Sequence, residues 1–271
     1  MTANKLKLNN DKSEFLFLHS RFRHSLPPPT ISVGMENIRP SQQARNLGVI
    51  FDDTMSLSPH VNTIVKGAFY HIRNISKIRK YISTSTTEIL IHSFVSSKLE
   101  FCNSLLFGAQ KRDIVKLQSV QNAAARIIAG LKKRDHITET LRDLHWLPVE
   151  ERIVFKINLI TFKTLNDSVP RYLEDILKFY HQSRTLRSSR DHLRLEEPNF
   201  NMRTYGQRAF SLAAPRLWNK FPFEIRACSD VNLFKSKLKT FLFKKVWHLV
   251  SSFLFLFLIL SFFCLSFLRC V

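Results

Sequence analysis

The stretch SPHVNTIVKGAFYHIRNISKIRK, residues 58–80, decides the fold of this chain. Its apolar side chains recur at the 3.6-residue spacing of an α-helix and fall on one face: Val61, Ile64, Val65, Ala68, Ile72 and Ile75. Pro59 suits the first helical turn, with Ser58 or Ser56 as the capping residue. The other face carries basic side chains, at Lys66, Arg73, Lys77 and Lys80. The pattern predicts an amphipathic helix with a basic outer side.

Further helices are predicted on the C-terminal side of this stretch. Apolar spacing and capping signals place them at roughly 86–105, 111–129, 149–166, 170–180, 205–218 and 230–246. The sequence Ser85-Thr86-Thr87-Glu88 fits a capping box that opens the first of them. Gly130 is placed to end the next one. Most of the chain is therefore expected to be helical.

Residues 1–56 are instead predicted to be β-rich. Their strand candidates are Glu14–His19, Thr30–Val33 and Ala44–Phe51, separated by proline and glycine turn signals. The expected fold is α+β and mostly α, with a small N-terminal β-hairpin or sheet before an α-helical body. Four segments follow from these patterns: 1–56, 57–180, a basic loop with C-terminal helices at 181–245, and a hydrophobic tail at 246–271.

The charge balance points to a polyanionic partner. Lysine and arginine total 41 against 21 aspartates and glutamates, which gives a net charge of +20. Such an excess favours binding to nucleic acid or to the anionic face of a membrane. The alternative is a basic soluble protein without a polyanionic partner. The four cysteines and the histidines lack the spacing of metal ligands, so no metal site is expected. No cofactor and no small-molecule substrate is expected either.

Asp52 and Asp53 follow Phe51 and resemble the paired aspartates that bind two Mg²⁺ ions in polymerases. Two-metal chemistry needs a further carboxylate earlier on the same sheet. An aspartate pair just before a helix more often forms a turn or a cap. We therefore expect a structural role for this pair.

Several long motifs resemble segments of the reverse transcriptases of non-LTR retrotransposons, the LINE-like, jockey-related elements. They cover about residues 5–246 in order and include LKLNNDKSEF (6–15), NLGVIFD (46–52), SKLEFCNSL (97–105), LQSVQNAAAR (117–126), LHWLPV (144–149), AAPRLWN (213–219) and FKSKLKTFLF (234–243). Ser13 replaces the threonine that is usual in the first motif. The resemblance implies the primer grip, the thumb and the tail of such a polymerase, and it implies that the active-site carboxylates lie upstream of the first motif.

The resemblance also implies roles for particular residues. It identifies Leu47, Gly48, Val49 and Phe51 as primer-grip-like residues. Lys12 corresponds to a lysine that approaches the incoming nucleotide, although without a palm it is more simply a turn lysine at the surface. The chain itself is expected not to be an enzyme. The intact parent would be an RNA-directed DNA polymerase, nuclear or cytoplasmic.

Basic clusters supply the other predicted contacts with an RNA or DNA template-primer. They are Arg73, Lys77, Arg79 and Lys80; Lys111, Arg112 and Lys116; and Arg184, Arg187 and Arg190. Each cluster has the alternative of being an ordinary solvated helix face. Trp146 and Trp218 are candidates for stacking on bases, but their apolar neighbours favour a place in the core.

The tail forms a separate problem. Residues 246–268 carry no charged side chain apart from a possible His248, and this length is enough to span a bilayer as one helix. The sequence thus predicts a C-terminal hydrophobic helix that binds lipid and places the chain at a membrane. Its composition favours an origin by read-through into a pyrimidine-rich tract over a selected membrane anchor, and either origin gives a segment that partitions into lipid. The leading function is weak, sequence-independent nucleic-acid binding by a polymerase fragment. The alternative is a tail-anchored, single-pass membrane protein with a basic cytoplasmic domain.

Overall fold

The structure is a computed structural model that describes residues 14–19, 30–33, 36–166, 169–180, 193–199 and 206–247. The chain divides into two compact units. Unit 1 comprises Met1–Cys102 and Ala109–Val120, and unit 2 comprises Asn103–Gly108 and Gln121–Val271. The described residues are mostly helical, with a few short strands confined to the N-terminal part. This confirms the predicted α+β, mostly α fold.

The strands of unit 1 form three separate pairs. Strand β1 (Phe15–Leu16) runs parallel to β4 (Pro40–Ser41), and β2 (Ile31–Val33) runs antiparallel to β3 (Glu36–Ile38). Strands β5 (Gln43–Asn46) and β6 (Val49–Asp52) form an antiparallel hairpin in which Asn46 faces Val49. The single strand predicted over Ala44–Phe51 is therefore wrong.

A tight turn at Leu47-Gly48 breaks that predicted strand. Both residues have positive φ, 46° for Leu47 and 87° for Gly48. Two consecutive residues of this kind make the turn that suits the twist of a β-hairpin. Gly48 adopts the conformation without strain, whereas Leu47 does so at some cost.

Helix α1 (Ser58–Ile78) follows and carries the predicted apolar stripe. Val61, Ala68, Ile72 and Ile75 are buried, as the helical spacing requires. The helix packs on β6 and on helix α2 (Thr84–Ile91). Its capping residue is Leu57, not Ser56 or Ser58 as predicted, and its first turn is held by an aspartate described below.

The predicted helix over 86–105 begins earlier and ends earlier than expected. Ser83 caps α2 by accepting a hydrogen bond from the backbone N–H of Thr86 at 3.0 Å. A π-helical segment, His92–Ser96, continues directly into α3 (Ser97–Glu100). Phe101 is extended, which stops the helix. The predicted capping box at Ser85 is therefore wrong, because Ser83, two residues earlier, is the N-cap of α2.

Unit 2 is built around helix α6 (Val149–Leu165), which packs against α8 (Phe210–Trp218), against α7 (Arg171–Glu174) and against a 3₁₀ turn at Asn103–Leu106. Aromatic rings fill its centre: the rings of Phe162 and Phe234 stack with centroids 4.2 Å apart, and Trp218 lies 5.8 Å from Phe234. The remaining helices are α5 (Thr138–Asp143), α9 (Phe223–Arg226) and α10 over residues 231–247. Helix α4 (Lys111–Ala129) contributes residues to both units.

The predicted membrane helix and membrane localisation are corrected by the structure. No helix among the described residues is long and apolar enough to cross a bilayer. Helix α10, which reaches furthest into the predicted tail, carries lysines that are costly in hydrocarbon: Lys235, Lys237, Lys239, Lys244 and Lys245. Residues 248–268 of the predicted segment lie outside the described residues.

Candidate nucleic-acid interface

The outer face of α1 is the main candidate site. Lys66, Tyr70, Arg73 and Lys77 follow one another at i, i+4, i+7 and i+11, a spacing that places them on one side of a helix. All four are exposed, because the apolar stripe buries the opposite side. The face therefore presents three cations and one aromatic ring to solvent.

No negative charge interrupts this region of the sequence. Residues 54–87 contain five lysines and arginines and no aspartate or glutamate. Lys66, Arg73, Lys77 and Lys80 take part in no ion pair within the part of the chain that the structure describes. Arg73 donates from Nε to the carbonyl of Phe69 at 3.3 Å, one turn back on its own helix. Their charges are thus not neutralised by a described acidic side chain.

A 3₁₀ turn, Arg79–Tyr81, follows directly on α1 and adds two further basic residues. Lys80 lies with its Nζ 4.7 Å from the centroid of the Tyr81 ring. Arg79 behaves differently and is half-buried. It donates to the carbonyl of Ile82 at 3.1 Å and to Oγ1 of Thr84 at 3.0 Å. Arg79 therefore closes the connection between α1 and α2, whereas Lys80 stays in solvent.

The second predicted cluster, at the start of α4, is also divided. Lys111 and Arg112 are exposed. Lys116 donates from Nζ to Oδ1 of Asp113 at 3.0 Å and to Oδ1 of Asn62 at 2.8 Å. Much of the charge of Lys116 is thereby used to neutralise a buried carboxylate, so its availability to a phosphate is reduced.

Asp113 is the centre of a buried polar network in unit 1. Its side chain is fully buried and accepts a second hydrogen bond from Oγ of Ser58, at 2.6 Å. Burial raises the pKa of Asp113, but the hydrogen bonds from Ser58 and Lys116 and the charges of Lys116 and Arg112 outweigh it and lower that pKa below the ordinary value. The network fixes the start of α1 to the start of α4 within unit 1.

Asp52 has an equally structural position. Burial raises its pKa, yet hydrogen bonds from Thr54, Ser56 and Leu57 lower it below the ordinary value overall. Oδ1 accepts from the backbone N–H of Leu57 at 2.7 Å, and Oδ2 accepts from the backbone N–H and hydroxyl of Ser56 at 3.1 and 2.9 Å. The Asp53 side chain does not join this turn, and its Oδ2 lies 3.4 Å from Nε2 of His19. The Asp52 carboxylate thus holds the turn before α1 and that of Asp53 lies against His19, in line with the predicted structural role.

Metal binding receives no support from the described residues. They contain no group of three or more histidine, cysteine, aspartate or glutamate side chains that could hold an ion. His60 is buried and accepts a hydrogen bond from the backbone N–H of Ile50 at 3.4 Å through Nδ1. Burial and the charge of Arg45 lower the pKa of His60. This histidine therefore links β6 to α1 in its neutral form.

These carboxylates make unit 1 sensitive to acid. Because the pKa values of Asp52 and Asp113 are lowered in the folded state, the unfolded chain binds more protons than the folded chain at low pH. The stabilisation is fully present above the ordinary carboxyl pKa of 3.8 and is lost as the pH falls through that value toward the lower folded-state pKa. We expect urea unfolding between about pH 7 and pH 3 to show a steep loss of stability at the acid end.

A variant separates the buried carboxylate from general charge effects. Asp113→Asn removes the titrating group, so the slope of stability against pH below about 4 should become shallower. Glu139→Gln removes an exposed carboxylate in unit 2 and should leave the slope almost unchanged. A slope that is the same in wild type and Asp113→Asn would contradict this origin of the acid sensitivity.

The primer-grip-like residues lie at the β5–β6 hairpin. Leu47 sits at its tip with 88% of its side chain exposed, and Gly48 completes the turn. Val49 is buried, with only 3% of its surface exposed, and Phe51 is half-buried, so both residues pack into the body of unit 1. A Cβ added at Gly48 would lie 3.3 Å from the ring of Phe101, which leaves little room for a side chain. An exposed apolar residue with strained backbone therefore marks the tip.

A second candidate site, a basic cleft, lies in unit 2. Its volume is about 410 Å³, and its walls are formed by Arg194, Glu197, Arg216, Asn219 and Lys220. The amide of Asn219 holds one wall in place by donating to the carbonyl of Leu195 and accepting from its N–H, both at 2.9 Å. One of its four charged groups is acidic, so this cleft concentrates positive charge less than the α1 face does.

The remaining predicted residues are distributed as follows. Trp146 and Trp218 are buried at 5% and 2% exposure, as their apolar neighbours predicted. Lys12, Arg184, Arg187 and Arg190 lie outside the described residues. Tyr70 and Tyr81 were not predicted as site residues. Their regular spacing with the lysines and arginines was the available signal, but it becomes meaningful only once exposure is known.

Comparison with known proteins adds no relative. No protein-family model, no curated protein and no solved structure matches the chain. The resemblance to reverse transcriptases remains one of short motifs. The exposed basic face of α1 and the charge around it are therefore the observations that bear most directly on function.

Proposed function

We propose that this chain binds RNA or DNA without sequence preference, through the basic face of α1. The observation that carries the proposal is the exposed row of Lys66, Arg73 and Lys77, followed by Lys80, in a stretch that lacks any acidic residue. Phosphates need placed cations, and neutralising them releases condensed counterions, which drives association. Nothing on this face resembles a set of side chains that reads base edges in a groove, so sequence should matter little.

The motif resemblance supports a more specific origin. We propose that the chain corresponds to the primer grip, thumb and tail of a non-LTR retrotransposon reverse transcriptase. In that arrangement the hairpin tip at Leu47-Gly48 would contact the primer, and the helices from α1 onward would form a thumb-like body that grips template and primer. We assign no catalytic role to Asp52, since its carboxylate accepts hydrogen bonds from Ser56 and Leu57 in the turn before α1.

Removing the cations of the α1 face tests the proposal. The triple variant Lys66→Ala, Arg73→Ala, Lys77→Ala should weaken binding of RNA and DNA about tenfold or more, and it should reduce the slope of log K against log salt by about one unit for each lost phosphate contact. The helix should survive, because these residues lie off the apolar stripe. Filter binding at several salt concentrations measures both quantities.

A matched control removes three exposed cations elsewhere. Lys132, Lys133 and Arg134 are exposed in unit 2, and their replacement by alanine changes the net charge by the same amount. The control should retain most of the affinity and the salt slope. Equal losses in the two triple variants would show that overall charge, not the α1 face, drives binding. Absence of binding by the wild-type chain at low salt would overturn the proposal altogether.

A further inference from the structure

Two tyrosines, one on the basic face of α1 and one in the 3₁₀ turn after it, are exposed and do not belong to the core. Tyr70 is 59% exposed and stands between Lys66 and Arg73. Tyr81 is 75% exposed and follows Lys80 at the end of the 3₁₀ turn. A large aromatic side chain left in solvent loses the stabilisation that burial would give it. Two of them among unpaired cations call for an explanation beyond phosphate binding.

The ring of Tyr70 is braced by its neighbours within unit 1. It meets the ring of His71 edge-on, with centroids 5.4 Å apart and an angle of 79° between the planes. His71 in turn stacks on Phe94, which belongs to the π-helical segment, at 5.2 Å and 19°. These contacts restrict the motion of Tyr70 while leaving more than half of it exposed. A restrained ring loses less entropy when a ligand stacks on it.

Tyr81 is already in contact with a cation. Nζ of Lys80 lies 4.7 Å from the ring centroid, a distance at which the positive charge is attracted to the ring. An aromatic ring has two faces, and the lysine occupies one of them. Tyr81 thus offers a stacking surface beside a charge that suits a phosphate. Tyr70 offers the same combination with Lys66 and Arg73 on its two sides.

We infer that the α1 face and the 3₁₀ turn after it bind single-stranded nucleic acid, with Tyr70 and Tyr81 stacking on unpaired bases while the neighbouring cations hold the phosphates. Alternating aromatic and basic groups are the arrangement by which proteins bind single strands without reading sequence. In a duplex the base faces are covered by their neighbours, so exposed tyrosine rings find no partner there. Tyr81 lies eleven positions after Tyr70, so α1 and the 3₁₀ turn separate the two residues by about 17–18 Å along the chain, which several nucleotides would cross.

This inference rests on the proposed nucleic-acid binding and narrows its substrate class. The test compares the affinity of the full chain for an oligothymidylate strand with its affinity for a mixed-sequence duplex of equal length, at low salt and by fluorescence anisotropy. Wild type should prefer the single strand by about tenfold or more. Tyr70→Ala with Tyr81→Ala should lower single-strand affinity about 30-fold or more and change duplex affinity by less than about threefold.

Two further pairs of variants separate stacking from other effects. Tyr70→Phe with Tyr81→Phe keeps the rings and should retain single-strand affinity, whereas Tyr70→Leu with Tyr81→Leu keeps apolar bulk and should lose it. Tyr172 and Tyr180 are exposed in unit 2, and their replacement by alanine serves as the matched control. Circular dichroism should be unchanged in all four pairs, because these side chains are exposed.

The outcomes distinguish the inference from the proposal beneath it. One set of results would overturn the inference and leave the proposed function standing. In it, single strand and duplex bind with equal affinity, replacing the tyrosines has no effect, and the Lys66, Arg73, Lys77 variant binds both more weakly. Absence of binding to both nucleic acids would overturn both. Binding to vesicles of phosphatidylserine that depends on the tyrosines, with no preference for the single strand, would also overturn the inference.

Discussion

Replacing Asp52 by alanine is expected to lower the free energy of unfolding by about 2–4 kcal/mol. The carboxylate accepts hydrogen bonds from the backbone N–H groups of Ser56 and Leu57 at the start of α1, and Leu57 is buried. A buried N–H that loses its acceptor costs about 1–3 kcal/mol. Urea unfolding followed by circular dichroism measures the loss. Hydrogen exchange should localise it to β6 and the first turn of α1.

Asp53→Ala is the matched control for this prediction. Asp53 is adjacent, but its carboxylate lies at the partly exposed surface, 3.4 Å from His19, so its loss should cost less than about 1 kcal/mol. The pair also separates the two roles considered for these aspartates. Primer extension by the full chain that disappears in Asp52→Ala at unchanged stability would favour metal binding over the turn described above.

The elements that the sequence predicts well are those with strong local periodicity. The stripe of α1 is set by six apolar residues at helical spacing, and burial of such a face dominates the energetics of a helix. The start of α2 was missed because several serines and threonines could cap it, and the choice depends on where the previous turn ends. The hairpin at Leu47-Gly48 was missed because a leucine at positive φ is an unusual choice for a turn.

The candidate site was predictable in part for a similar reason. Exposed cations follow from the position of the apolar stripe, so Arg73, Lys77 and Lys80 could be identified from spacing alone. The hydrogen bonds that occupy Lys116 could not be predicted from the sequence. Its ion pair with Asp113 lies within one helical turn, but the hydrogen bond from Lys116 to Asn62 and the one from Ser58 to Asp113 join residues 54 and 55 positions apart, and local patterns carry no information about such contacts. A cation that neutralises a buried carboxylate looks identical in sequence to a free one.

The largest single effect is expected at Trp218. Replacement by alanine should lower the free energy of unfolding by about 3–5 kcal/mol, the usual loss for a large aromatic side chain in a core. The ring is 2% exposed and packs near Phe234, and its Nε1 donates to the carbonyl of Leu193 at 2.9 Å. Thermal and urea unfolding of the full chain measure the change.

More conservative substitutions of Trp218 decide between the two roles that the sequence leaves open for this tryptophan, a core residue or a stacking platform. A core residue affects stability, whereas a stacking platform affects binding while the protein stays folded. Trp218→Phe should therefore recover part of the lost stability, because phenylalanine refills much of the space but cannot donate to Leu193. Trp218→Leu removes the ring altogether, and its single-strand affinity should match wild type under conditions where both are folded. A large loss of affinity in folded Trp218→Leu would instead place this ring, and not only those of Tyr70 and Tyr81, in contact with nucleic acid.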